Sequence, residues 1–181
     1  MKPVLHTVGH STRTLDDLVG VLRGAGVEAL IDVRTAPGSR RHPQFGRPAL
    51  ETGLRAAGIA YSHRPALGGF RKPRPGSVNT GWEHPAFRGY ADYMDTPEFA
   101  AALSDLEREA RATPCSIMCA EAQWWRCHRR LIADALLVRG WRVLHLGLRA
   151  EPVEHELTSF AVVGEDGRLR YPPAQGMLAL D

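Results

Sequence analysis

The sequence predicts an α/β protein, a single domain over residues 1–181 built in three layers, with a mostly parallel sheet flanked by helices and a C-terminal hairpin or extension. Three observations carry this. Short apolar runs alternate along the chain with stretches of helical periodicity. No internal repeat and no linker divides it. With 44% apolar and 24% charged residues, a chain of 181 residues has enough apolar matter for a core and no bias toward disorder.

The elements follow in order. PVLHTVGH is an apolar run and the first strand. Thr14 opens a helix as its cap, with Asp17 three residues on as an acidic variant of the capping box and Leu15, Leu18, Val19 and Leu22 at helical spacing. Gly24 and Gly26 stop it, and VEALIDVR forms the second strand. APGSRRHPQF is too rich in Pro and Arg for a regular element and reads as a functional loop. Residues 48–57 make a short helix closed by Gly58, and IAYSH is the third strand. Residues 67–82 carry Gly, Pro and basic residues without a period, the signature of a long binding loop or lid. Two helices come next, one over 85–94 and one capped by Thr96 with Pro97 in its first turn and Phe99, Leu103 and Leu106 on one face. PCSIMCAE is a buried strand, RCHRRLIADALLVRG a helix ended by Gly140, and WRVLHLGL the last long strand. FAVVGEDGRLRYP, with an Asp-Gly turn between alternating residues, reads as a hairpin. Strands separated by helical crossovers lie parallel, and right-handed crossovers dominate such sheets.

Composition narrows the function classes. No run of about 20 apolar residues is present, and histidines interrupt the apolar stretch a signal peptide would need at the N-terminus, so a cytoplasmic protein without a membrane partner is expected. Cys115, Cys119 and Cys127, an odd number of cysteines, make no secreted disulfide framework. A net charge of +3 and a pI near 9.0 point to an anionic small molecule or a nucleic acid as partner. In parallel sheets, ligands bind outside the carboxyl ends of the strands. Those ends carry Gly9, His10 and Ser11, then Asp32 and Arg34, Tyr61 and His63, Cys119 and Glu121, and His145.

TVGHST, DVRTAPGSRRHPQF, YSHRPALGG and the pair Cys-Ala-Glu and Cys-His-Arg-Arg, in that order, resemble the bacterial and archaeal family called domain of unknown function 488. The resemblance runs from about His6 to about His145 and extends to a late Tyr-Pro. It implies no settled reaction, and some members carry a DNA-repair label. It places any shared activity on His10, Ser11, Asp32, Arg34, Ser39, Arg40, Pro43, Phe45, Leu67, Gly68, Gly69, Cys119, Glu121, Cys127, His128 and Arg129.

The richest stretch is CAEAQWWRCHRR. Cys119 falls at a strand's carboxyl end and Cys127 near the start of the next helix, where free amides, the helix dipole and Arg126, Arg129 and Arg130 favour a thiolate. The candidate catalytic residues are therefore Cys119, Glu121, Cys127, His128 and His10, with Glu121 or His128 as proton acceptor. Ser11, Asp32, Arg34, Ser39, Arg40, His63 and Arg129 are the candidates for holding an anionic substrate, Asp32 orienting an arginine. The expected protein is an enzyme for hydrolysis or group transfer on a phosphorylated or nucleotide substrate, with no cofactor. The phosphatase signature does not fit, because an arginine is needed six positions after the cysteine and position 125 is Trp.

Blander and rival readings stand beside this one. Cys115 reads as a core residue, Cys119 as core or site, and Trp124 and Trp125 as packing anchors or stacking platforms. Glu121 should be partly buried, as a base or as the partner of Arg34 or Arg129. A nucleic-acid module would stack bases on Trp82, Trp124 or Trp125. A zinc site could draw on Cys119, Glu121, Cys127 and His128 with His10 or His63. Against it, the chain lacks a Cys-x2-Cys pair, and the arginines oppose a cation, so no metal is assigned.

Overall fold

The structure, a computed structural model, describes residues 1–38 and 40–174. Its strands are β1 (Val4–Gly9), β2 (Ala29–Asp32), β3 (Ala60–His63), β4 (Cys115–Cys119), β5 (Arg142–His145) and β6 (Val153–Glu154), followed by β7 (Val162–Val163) and β8 (Leu169–Arg170). Its α-helices are α1 (Leu15–Gly24), α2 (Arg47–Ala56), α3 (Pro85–Tyr93), α4 (Pro97–Ala112) and α5 (Arg129–Val138). The main sheet has the order β3-β2-β4-β1-β5-β6, with the first five strands parallel and β6 antiparallel to β5.

Successive strand residues point to opposite faces, so each central strand feeds two cores. Val8, Leu30 and Met118 pack with Leu18, Leu22, Leu50 and Leu54 of α1 and α2. Leu5, Ile31, Ile117 and Val143 pack with Tyr90, Phe99, Leu103, Leu131 and Leu136 of α3, α4 and α5. Burial on both faces explains why these strands read as mainly apolar runs and not as alternating patterns. The chain travels outward from β1 to β3 with its helices on one face, then returns through β4 to β5 with its helices on the other. Right-handed crossovers in opposite directions require that change of face. Consequently β1 and its neighbour β4 send their following helices to opposite faces, and the topological switch point of the sheet lies between their carboxyl ends.

Local signals place the element ends. Thr14 Oγ1 accepts the Asp17 amide at 3.1 Å, and Asp17 Oδ2 accepts the Thr14 amide at 3.3 Å, completing the capping box. Thr14→Ala should lower stability by about 1 kcal/mol, read as a shift in the urea midpoint at constant slope, while Thr14→Ser stays near the parent. Thr96 caps α4 by accepting the Phe99 amide at 3.2 Å. The Asp-Gly turn joins β7 to β8, with Gly167 at φ +73° and Asp166 Oδ1 accepting the Arg168 amide at 3.1 Å. Tyr171 then returns the chain to the core, fully buried against Trp82.

Three features depart from the sequence reading. Helix α5 begins only at Arg129, which leaves Cys127 outside it in extended backbone, φ −130° and ψ 151°. Trp124–Arg126 forms a single 3-10 turn instead. The edge strand β6, two residues long, is too short to show a period. Among the described residues, no helix is long and apolar enough to cross a membrane.

Candidate active site

Two polar clusters meet at the carboxyl ends of β1 and β4. The first is built on Asp32, the last residue of β2, which is fully buried. Arg34 curls back on it, donating from Nε at 2.9 Å, from Nη2 at 2.6 Å and from its backbone amide at 3.1 Å. Tyr61 O–H adds a third side-chain bond at 2.8 Å. Burial, then the Asp32 carboxylate, pushes the Tyr61 phenol up out of the titrating range. His10 extends the cluster: its Nδ1 lies 3.0 Å from the Ser11 carbonyl and must carry the proton. Its Nε2 is thus free to accept from Arg34 Nη1 at 3.3 Å. The ring is stacked on Phe45 at 4.2 Å, and burial lowers its pKa to about 4, so the imidazole is neutral at pH 7. His63 Nε2 is held on the Arg34 carbonyl at 2.8 Å.

The second cluster contains the thiols. Ligand atoms of Cys119, Cys127 and His128 lie within 4.8 Å of one another. His128 Nε2 faces the Val33 carbonyl at 3.1 Å and donates to it, which turns the Nδ1 lone pair toward Cys127 Sγ at 3.6 Å. Arg129, 1% exposed, lays its Nε 3.5 Å from the same sulfur. Burial alone would push the Cys127 thiol up. The Cys119 S–H bond, His128 and Arg129 outweigh it and hold Cys127 well below the ordinary thiol range. Cys119, the hydrogen-bond donor to that sulfur and half-buried beside it, is pushed well above. Cys115, inside the core, is raised to about 12 by burial.

Glycines make the clusters possible. The β4–α5 loop lies directly on Gly9, where a Cβ would overlap the Glu121 carbonyl and come within 2.8 Å of Ala122 Cα. The same approach lets the His10 and Ser11 amides donate to the Cys119 and Ala120 carbonyls at 3.0 and 2.9 Å. Ser11 turns away at φ +48°, a left-handed conformation rare for a residue with a side chain. Gly69, on the long loop, sits so close to His128 that a Cβ would be 2.6 Å from Nδ1.

Residues 14–136 match the family described as a domain of unknown function, DUF488. The chain belongs to that family. No curated protein and no solved structure matches it. Both thiols, His128 and Arg129 fall inside the span matched to DUF488, as does the Asp32–Arg34 pair. His10, Ser11 and His145 lie beyond it, although the resemblance read from the sequence included them.

Within this DUF488 site, the structure brings together His10, Asp32, Arg34 and His63 in one cluster and Cys119, Cys127, His128 and Arg129 in the other. Ser11 joins them through its backbone. Arg40 is exposed on the β2–α2 loop, and Ser39 lies outside the described residues. Glu121 corrects the sequence reading. Its carboxylate is exposed and, among the described residues, accepts the Gln123 amide alone, at 3.0 Å, because the loop turns the side chain outward. It is the Glu121 backbone carbonyl that receives Arg129 Nη2. Of the three tryptophans considered for stacking, Trp82 is 7% exposed inside an aromatic core and Trp124 lies flat on His145, which leaves Trp125 at 42% exposure. Sequence reasoning did not single out Thr7, Asp134 or His155; a carboxylate in the apolar run of α5 was the one available signal for Asp134.

Proposed function

We propose that the protein is an enzyme in which the Cys127 thiolate attacks an anionic, phosphorylated or nucleotide substrate in hydrolysis or group transfer. One observation carries the reading. Arg129 is a buried guanidinium whose partners among the described residues are Thr7 Oγ1, the carbonyls of Glu121 and Ala122, and Cys127 Sγ, with no carboxylate. Arginine keeps its charge in proteins, and a buried charge needs a counter-charge. The sulfur 3.5 Å from Nε supplies it as a thiolate. The positive end of α5, two residues on, favours the same form. His128 Nδ1 is placed to take the thiol proton and return it to a leaving group. Because Arg34 and Arg129 are bound to internal partners, the substrate's negative charge falls to the exposed Arg40, Arg41 and Arg126 on the flanking loops.

Alkylation by iodoacetamide, followed peptide by peptide from pH 5 to 9, tests this. Cys127 should react with a midpoint well below the ~8.5 of a free thiol, and phosphate or a nucleoside monophosphate should slow it. A midpoint at or above that value sinks the reading. The Cys119, Cys127 and His128 group also has the make-up of a soft metal site, but a guanidinium on one sulfur opposes a cation. Stoichiometric zinc in protein purified without added metal would replace the thiolate by a metal centre.

A nucleic-acid reading rests on Phe70 and Trp125, 87% and 42% exposed on the two loops beside the thiols. It requires single-stranded DNA affinity that falls steeply with salt.

A further inference from the structure

Behind the thiol cluster runs a line of buried polar groups that the proposed chemistry does not use. It starts at Asp134 on α5, whose carboxylate accepts Tyr171 O–H at 2.8 Å and the Thr158 amide at 3.0 Å. His155 Nε2 lies 2.8 Å from Asp134 Oδ1, so a proton sits on Nε2, and in the neutral ring Nδ1 is an acceptor. The atom 3.1 Å from that Nδ1 is His145 Nε2, which must therefore donate. His145 Nδ1 then accepts from Thr7 O–H at 2.7 Å, and the Thr7 oxygen is left to accept from Arg129 Nη1 at 3.4 Å. Thr7, Asp134, His145 and His155 are each at most 3% exposed.

Each donor in the line has one acceptor, and every proton points toward Asp134. We infer that Asp134, His155, His145 and Thr7 form a one-directional hydrogen-bond line that positions Arg129 against Cys127. The inference rests on the reading of Cys127 as the reactive thiolate. The fold supplies the geometry directly: Thr7 and His145 are register partners on β1 and β5, and pairing of β6 with β5 delivers His155. Trp124, from the loop that joins the two thiols, stacks flat on His145 at 4.1 Å and 6°, so loop and line are fastened together. Burial holds His145 neutral, its pKa lowered to about 2. The line is no proton wire, because the guanidinium at its end does not release a proton. Its effect is geometric, and aligned dipoles in a dry interior reinforce one another. The titratable groups facing Cys127 are Cys119 from β4, His128 just before α5, Arg129 at its start, and Tyr90 from α3.

Nitrogen-15 correlation spectra of the imidazoles at pH 7 give the first test. His145 and His155 should both show a slowly exchanging proton on Nε2, and a proton on Nδ1 of either ring overturns the line. The second test is the alkylation rate of Cys127 at pH 6. Thr7→Val should lower it about fivefold and move its pH profile upward, as loss of one hydrogen bond implies, and Thr7→Ser should restore it. Fast labelling in the parent with no change in the valine variant ends this inference and leaves the thiolate reading standing. Slow labelling in the parent ends the thiolate reading instead. If the valine variant does not fold, the tautomers in the parent protein decide.

Discussion

Replacing Asp32 by alanine is expected to cost about 3–5 kcal/mol of folding stability, the usual penalty for stranding one member of a buried ion pair. Asp32 is fully buried and Arg34 is 6% exposed, and the carboxylate accepts three donors from Arg34 and one from Tyr61. Without it, a guanidinium stays in the interior with His10 Nε2 as its remaining hydrogen-bond partner among the described residues. Urea unfolding measures the loss, and a value under about 1 kcal/mol would show that water reaches Arg34. The double change Asp32→Ala with Arg34→Met should recover much of the loss, because it removes both charges. That recovery separates charge stranding from simple loss of packing.

Acidification should destabilise the protein before its carboxylates titrate. Burial depresses His10 to about 4 and His145 to about 2, whereas both take up protons near 6.5 once unfolded. His10 faces Arg34, Asp32 and His42, and His145 faces His155 and Arg129. Between the two pKa values, the unfolded chain binds more protons than the folded one, so stability rises with pH. The contribution is complete above about pH 6.5 and is lost at about 1.4 kcal/mol per pH unit for each histidine as the pH falls. From pH 7 to 5 the loss should be about 2–4 kcal/mol by urea unfolding. His10→Gln should remove about half of that slope. Asp92 and Glu107, whose carboxyls are held low by hydrogen bonds and arginines despite burial, act in a more acidic window. A flat profile over pH 7 to 5 contradicts the buried neutral state of both rings.

Much of the fold was legible because its signals are local. Thr14 with Asp17, Thr96 with Pro97 and the Asp166–Gly167 turn each act through hydrogen bonds or backbone angles within four residues. The apolar runs 4–9, 29–32 and 115–119 announced strands because the sheet is covered on both faces. The start of α5 was less legible, since Cys127 and His128 are compatible with a helix and only the 3-10 turn at Trp124–Arg126 displaces it.

The sequence by itself determined the α/β class and the set of residues that reach the sheet's carboxyl edge, because strand polarity and crossover handedness follow from chain order and chirality. It also put two cysteines, a histidine and an arginine within eleven positions of one another. Tertiary structure alone decided their surroundings. It turned the Glu121 carboxylate out to solvent, closed Arg34 on Asp32, and set Arg129 between the Cys127 sulfur and the line that ends at Asp134. These choices depend on pairs such as Thr7 with His145 and Asp134 with His155, 138 and 21 residues apart. No local preference encodes such pairs. They form because a buried donor or acceptor left unpaired costs more than ordering the partner that satisfies it.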